Sequence, residues 1–168
     1  MEKKASLSSE TISKKKAKTT VVSPFTVLLE SCLDQKGYRE FLGHKKQVFD
    51  NKLAVGGKQY AKQVYVGKSI YETNRKCDYL IFNQELFPDG LIIECKWQES
   101  PGTVDEKYPY QYFNIIKTGV PTVFLLDGEG YRKAALQWLK SEAHDKCALN
   151  HAWNMKEFQE NVDKGFLG

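Results

Sequence analysis

The sequence predicts an α/β domain built on one mixed sheet flanked by helices. Apolar positions recur at helical spacing in residues 25–33 and again near the end of the chain. Runs rich in Val, Ile and Tyr, separated by turn residues, fill residues 63–98. A well-marked helix then leads into 121–126 (PTVFLL), an apolar run that reads as a buried strand. The 168 residues suffice for a single domain with one core. With 41% hydrophobic and 27% charged residues, the composition excludes disorder, collagen and coiled coil for the chain as a whole.

Residues 1–23 are Ser, Thr and Lys with almost nothing to bury, and read as a disordered basic tail ahead of one domain at 24–168. Ser23-Pro24 suits a helix start, an N-cap followed by Pro at the first helical position. Phe25, Leu28, Leu29, Cys32 and Leu33 supply its apolar face, and Gly37 closes it. Strands are expected at 63–66 and 69–71 around a Gly67-Lys68 turn, then at 77–83 (CDYLIFN) and 91–98 (LIIECKWQ) around Phe87-Pro88-Asp89-Gly90. Thr103-Val104-Asp105-Glu106 has the form of a capping box, with Pro109 in the first two turns of the helix it opens. Gly119 and Pro121 stop that helix. Asp127-Gly128-Glu129-Gly130 reads as a turn, and helices follow around 133–143 and 155–162.

No apolar run approaches the roughly 20 residues of a membrane helix, and none follows the basic N-terminus as a secretory signal would require. Cys32, Cys77, Cys95 and Cys147 show no CxxC pairing, so free thiols in a reducing compartment are expected: cytoplasmic or nucleoid-associated, not secreted. The formal net charge of +4 hides an uneven distribution. Residues 36–76 alone carry a net +7, whereas 77–168 carry −5. Such a basic block suits either a phosphate backbone or an ordinary solvated surface.

The chemistry concentrates on the second hairpin. Side chains alternate along a strand, so Glu94, Lys96 and Gln98 share one face and Cys95 and Trp97 the other. With Asp78 opposite Glu94 or Lys96, two carboxylates and one amine converge at one end of the hairpin. Burying charge without partners costs several kcal/mol, and adjacent acids repel unless a cation joins them. A divalent ion such as Mg²⁺ resolves this, because hard cations take carboxylate oxygens. A salt-bridge cluster on an open sheet face resolves it as well, and spacing alone leaves both readings open.

Asp78, then Glu94-Cys95-Lys96 sixteen positions later, resembles the signature of the PD-(D/E)XK nuclease superfamily, an acid followed by acid-x-Lys on the next strand. The resemblance spans about residues 24–140, and implies a restriction-endonuclease-like αβββαβ core. It implies that Asp78 and Glu94 hold the metal and that Lys96 positions the attacking water. Glu30 matches the further acid that many members carry on the first helix, with Glu40 as a second candidate. Gln98 completes a Glu-x-Lys-x-Gln form like that of restriction-type members, touching DNA or the water network. Cys77 stands where the signature has Pro, a position that varies in the superfamily. The implied activity is Mg²⁺-dependent hydrolysis of DNA phosphodiesters, with Mn²⁺ as an alternative ion. Arg75, Lys76, Lys68, Lys62, Lys58, Lys46 and Lys45 would bring in the backbone. One active site per chain implies a homodimer or higher homo-oligomer for double-strand cleavage. A junction or repair nuclease, and a catalytically inactive DNA-binding or scaffold protein, are the alternatives.

Other features read as structure. His144, Cys147 and His151 have helical spacing but no fourth metal ligand, and are read as helix surface. Tyr108, Tyr110, Tyr112 and Phe113 could stack on bases, but are read as packing residues of their helix. Trp97 and Trp138 are expected in the core.

Overall fold

The computed structural model describes residues 23–42 and 57–168. The expected tail, apart from Ser23, and both Lys45 and Lys46 lie outside the described residues. The elements are α1 (Pro24–Gln35), β1 (Arg39–Glu40), β2 (Gln59–Lys68), β3 (Asn74–Asn83), β4 (Phe87–Trp97), a 3-10 turn (Thr103–Lys107), α2 (Tyr108–Thr118), β5 (Thr122–Asp127), α3 (Lys133–Glu142), β6 (Leu149–Trp153) and α4 (Met155–Asp163). The strands form one sheet in chain order. β3 is antiparallel to both β2 and β4, while β1–β2, β4–β5 and β5–β6 are parallel. The expected order of helix, three strands, helix and strand is therefore present on a mixed sheet.

Local chemistry accounts for the boundaries. The Ser23 hydroxyl accepts from the Thr26 N–H at 3.2 Å and Pro24 opens α1, which buries Phe25, Leu29, Cys32 and Leu33. Gly119, at φ 71°, takes the left-handed position that closes α2. The sheet is covered on both faces. Phe25, Leu29, Phe158 and Val162 of α1 and α4 pack with Tyr79, Ile81, Ile93 and Leu125 on one side. On the other, Ile115 of α2 and Leu136 and Leu139 of α3 pack with Phe124 and Leu126.

Several expectations are corrected. The first hairpin turns at 69–73, not at Gly67-Lys68, because strand pairing continues to Lys68 opposite Asn74. The second turns at 84–86, and Phe87-Pro88-Asp89-Gly90 lies within β4. Proline is tolerated there because that stretch has β3 alone as neighbour, β5 joining only from Ile92. The helix expected from Thr103 opens later, at Tyr108. Thr103–Lys107 is a 3-10 turn that follows Gly102, and the Asp105 carboxylate accepts from the Arg132 backbone N–H at 3.3 Å. β6 stands where the sequence predicts helix surface, and it places His151 in a strand. Among the described residues no three His, Cys, Asp or Glu side chains gather as a metal cage. Trp97 is 37% exposed, edge-on to Phe25 at 5.8 Å, rather than in the core.

Candidate active site

A kink shared by two strands creates the site. Along β2, Tyr60 packs towards α1, Ala61 towards the opposite face, and Val64 joins Ala61 where regular alternation would put it with Tyr60. Between them Gln63 adopts φ 55°, a left-handed conformation rare for a residue with a side chain. β3 changes face at the same level: Cys77 packs with Leu80, although three positions separate them. Pairing of Lys62 with Tyr79 and of Val64 with Cys77 brackets Gln63 and Asp78, so the two kinks lie side by side.

Asp78 occupies this kink and is held on three sides. Its Oδ1 accepts from Gln63 Nε2 at 3.0 Å, and its Oδ2 accepts from the Cys95 backbone N–H at 2.9 Å. The Lys96 ammonium lies 3.7 Å from the same Oδ2. The register Tyr79–Ile93, continued by one residue, sets Asp78 beside Glu94. Of the two registers open in the sequence, the structure therefore takes the one that pairs acid with acid. Asp78, Glu94 and Lys96 all line a hollow of about 250 Å³ between the hairpin and α2.

Glu94 is the buried member, 3% exposed, and Arg75 of β3 holds it. Arg75 Nη2 donates to Glu94 Oε1, while Arg75 Nη1 donates to Thr118 Oγ1 at 2.6 Å. Burial pushes the Glu94 carboxyl up to about 7; Arg75 opposes this and the neighbouring Asp78 reinforces it. Two adjoining carboxylates that open to solvent through one hollow, with an amine at its edge, are a donor set suited to a hard divalent cation. A Mg²⁺ ion takes one or two carboxylates and fills its other positions with water and substrate oxygens, so the lack of a third acidic ligand among the described residues is compatible with it.

Glu30 stands apart from that hollow. It lines a second one, about 290 Å³, on the α1 side, where Asp78, Gln63 and Tyr79 are its neighbours. Asp78 thus borders both spaces. Glu30 accepts from Lys62 Nζ at 3.1 Å and from the Tyr79 hydroxyl at 3.0 Å, and Lys62 also reaches Glu40 at 3.0 Å.

The other residues singled out from sequence are dispersed. Gln98 is buried, its Nε2 donating to the Gly130 carbonyl at 3.0 Å and its Oε1 accepting from the Tyr108 hydroxyl at 2.6 Å, so its polar atoms serve the fold. Arg75 is 7% exposed and turned inward to Glu94, not outward. Lys62 is held by two acids; Lys58 donates to the Lys36 carbonyl at 3.0 Å and sits over the Tyr38 ring. Lys68 donates to Asn74 Oδ1 at 2.6 Å. Lys76 lies over the Tyr65 ring at 4.7 Å and lines the hollow with Lys96. Sequence reading missed Gln63 altogether: nothing in a Val- and Tyr-rich strand pattern signals a left-handed glutamine.

Among the described residues no helix is long and apolar enough to cross a membrane. No curated protein and no solved structure matches the chain. A family model described as a PD-(D/E)XK nuclease superfamily domain matches residues 24–166, which takes in α1, the whole sheet and both acids of the hollow. On that match, and with the expected helix and strand order in place, the chain belongs to the PD-(D/E)XK nuclease superfamily.

Proposed function

We propose that this protein is a Mg²⁺-dependent DNA endonuclease, with Mn²⁺ as an alternative ion. The single observation that carries this reading is the convergence of Asp78, Glu94 and Lys96 on one solvent-open hollow. Asp78 and Glu94 would hold the ion, which when bound supplies positive charge to the scissile phosphate. Gln63 and the Cys95 N–H fix the rotamer of the Asp78 carboxylate, so little reorganisation is needed on binding. Lys96, half-exposed beside Asp78, orients the attacking water by hydrogen bonding and favours its deprotonated form. Lys76 offers the phosphodiester backbone a cation at the rim. Glu30 would tune the far side of Asp78 or hold a second ion. The free thiols suit a cytoplasmic or nucleoid-associated site of action.

A supercoiled plasmid incubated with Mg²⁺ should be nicked or linearised, and EDTA should stop the reaction. Asp78→Ala, Glu94→Ala and Lys96→Ala should each abolish cleavage, and Lys96→Ala should keep the fold because its side chain is 32% exposed. Full activity in Lys96→Ala overturns its role. Linear product as the first product would point to a homodimer acting on both strands; branched or damaged substrates in the same assay test the junction and repair variants. A second reading, an inactive DNA-binding or scaffold protein, draws on the fact that protein groups already satisfy both acids, Glu94 through Arg75 and Asp78 through Gln63. DNA binding without cleavage under any divalent metal would favour it.

A further inference from the structure

The turn joining β2 and β3 is fastened far more firmly than a hairpin tip requires. Ser69, 2% exposed, is its centre: its Oγ accepts from the Tyr71 and Thr73 N–H groups at 3.1 and 3.3 Å. Its backbone pairs with Thr73 at 2.8 Å, and its carbonyl accepts from Lys117 Nζ at 2.9 Å. The Ile70 N–H donates to Asn114 Oδ1 at 2.8 Å, which ties the turn to α2, and Glu72 takes φ 59° to close it. A turn fixed in this way costs conformational entropy, which buried Ser69 and Asn114 offset by satisfying the backbone of the tip. What it presents is Tyr71, 72% exposed and stacked on Tyr110 with ring centroids 5.3 Å apart and planes 21° from parallel. Tyr110 lines the same hollow as Asp78, Glu94 and Lys96.

We propose that the Tyr71–Tyr110 stack is a platform for an unpaired base of the nucleic acid, next to the phosphate held in the hollow. The inference rests on the nuclease reading above and deepens it by naming the substrate class: DNA with a base free to leave its stack, such as a single strand, flap or branch. Tyr110 occupies one face of Tyr71 and leaves the other open to solvent. Lys76 and Lys96 at the hollow supply the cations that a phosphate attached to the stacked base requires. A rigid, pre-oriented aromatic loses little freedom when a base stacks on it, and every base has a face to offer. A continuous duplex offers none, because its bases stack on each other.

The test uses the full chain in Ca²⁺, which restrains turnover, with a 2-aminopurine-labelled single strand and a blunt duplex of the same sequence. The wild type should bind the strand more tightly than the duplex and quench the probe. Tyr71→Ala should weaken strand binding about tenfold and restore the fluorescence, leaving duplex affinity within about twofold. Tyr71→Trp should retain quenching, which separates stacking from any effect on folding. Unchanged strand binding in Tyr71→Ala overturns the platform, as does an equal loss on strand and duplex. A change in oligomeric state with unchanged strand binding overturns it too, assigning the face to a second copy of the chain. A wild type that binds neither probe removes the nucleic-acid reading itself.

Discussion

Arg75 and Gln63 show how single side chains set the chemistry of the acids. Arg75 neutralises a carboxylate that is 3% exposed, so its removal leaves a buried charge without a partner. Arg75→Ala should therefore cost about 3–5 kcal/mol in urea unfolding, whether or not DNA is present. Wild-type stability in that variant would make Arg75 a substrate contact instead. Gln63 pays a conformational penalty for its position, left-handed residues with a Cβ costing roughly 1–2 kcal/mol. Gln63→Gly relieves that strain while deleting the amide that holds Asp78 Oδ1. Its stability should stay within about 1 kcal/mol of wild type, whereas cleavage should fall roughly 10–100-fold, the usual effect of losing a group that orients a ligand. Parallel losses of stability and activity would reduce Gln63 to a structural role.

At the scale of elements, α4 shows a cap working together with an ion pair. Asn154 Oδ1 accepts from the Glu157 N–H at 2.8 Å, and Glu157 Oε2 accepts from the Asn154 N–H at 2.9 Å. Lys140 of α3 reaches the same carboxylate at 2.5 Å and so joins helices on opposite faces of the sheet. Burial pushes the Glu157 carboxyl up, but Lys140 and the Asn154 N–H together outweigh it and hold it below the ordinary value. A carboxyl lowered by folding stabilises the native state above its unfolded pKa, about 4.3, and that contribution disappears as pH falls through the folded value. Glu157→Gln should accordingly flatten the loss of stability on acidification below about pH 4.5, followed by urea unfolding across that range. An unchanged acid profile would show that the pair contributes nothing. Elements whose signals are local, such as α1 with Ser23-Pro24 and α2 with Gly119, were legible in the sequence. Turns were less so, because Gly67 and Pro88-Asp89-Gly90 mark a bulge and a strand start paired on one side as readily as reversals.

For the molecule as a whole, the sheet sandwiched between two helix pairs leaves Cys32 and Cys77 fully buried. Burial also pushes the Cys77 thiol up, so little thiolate is present to react. Alkylation of Cys77 should proceed only through global opening, at a rate that tracks unfolding in denaturant; rapid modification of the native protein would show local opening around the acids. What the sequence by itself determined is the helix, three-strand, helix, strand core and the superfamily, because helical and strand periodicity, caps and an acid-x-Lys spacing are properties of consecutive residues. Only the tertiary structure decided which charges meet. Ten basic residues in 36–76 looked alike as a block, yet Arg75 turns inward to Glu94 and Lys62 to Glu30 and Glu40, while Lys76 faces the hollow. Their fates follow from strand register and from paired kinks at Gln63 and Asp78 that reverse the faces of two strands, and partners so distant along the chain leave no mark in a local pattern.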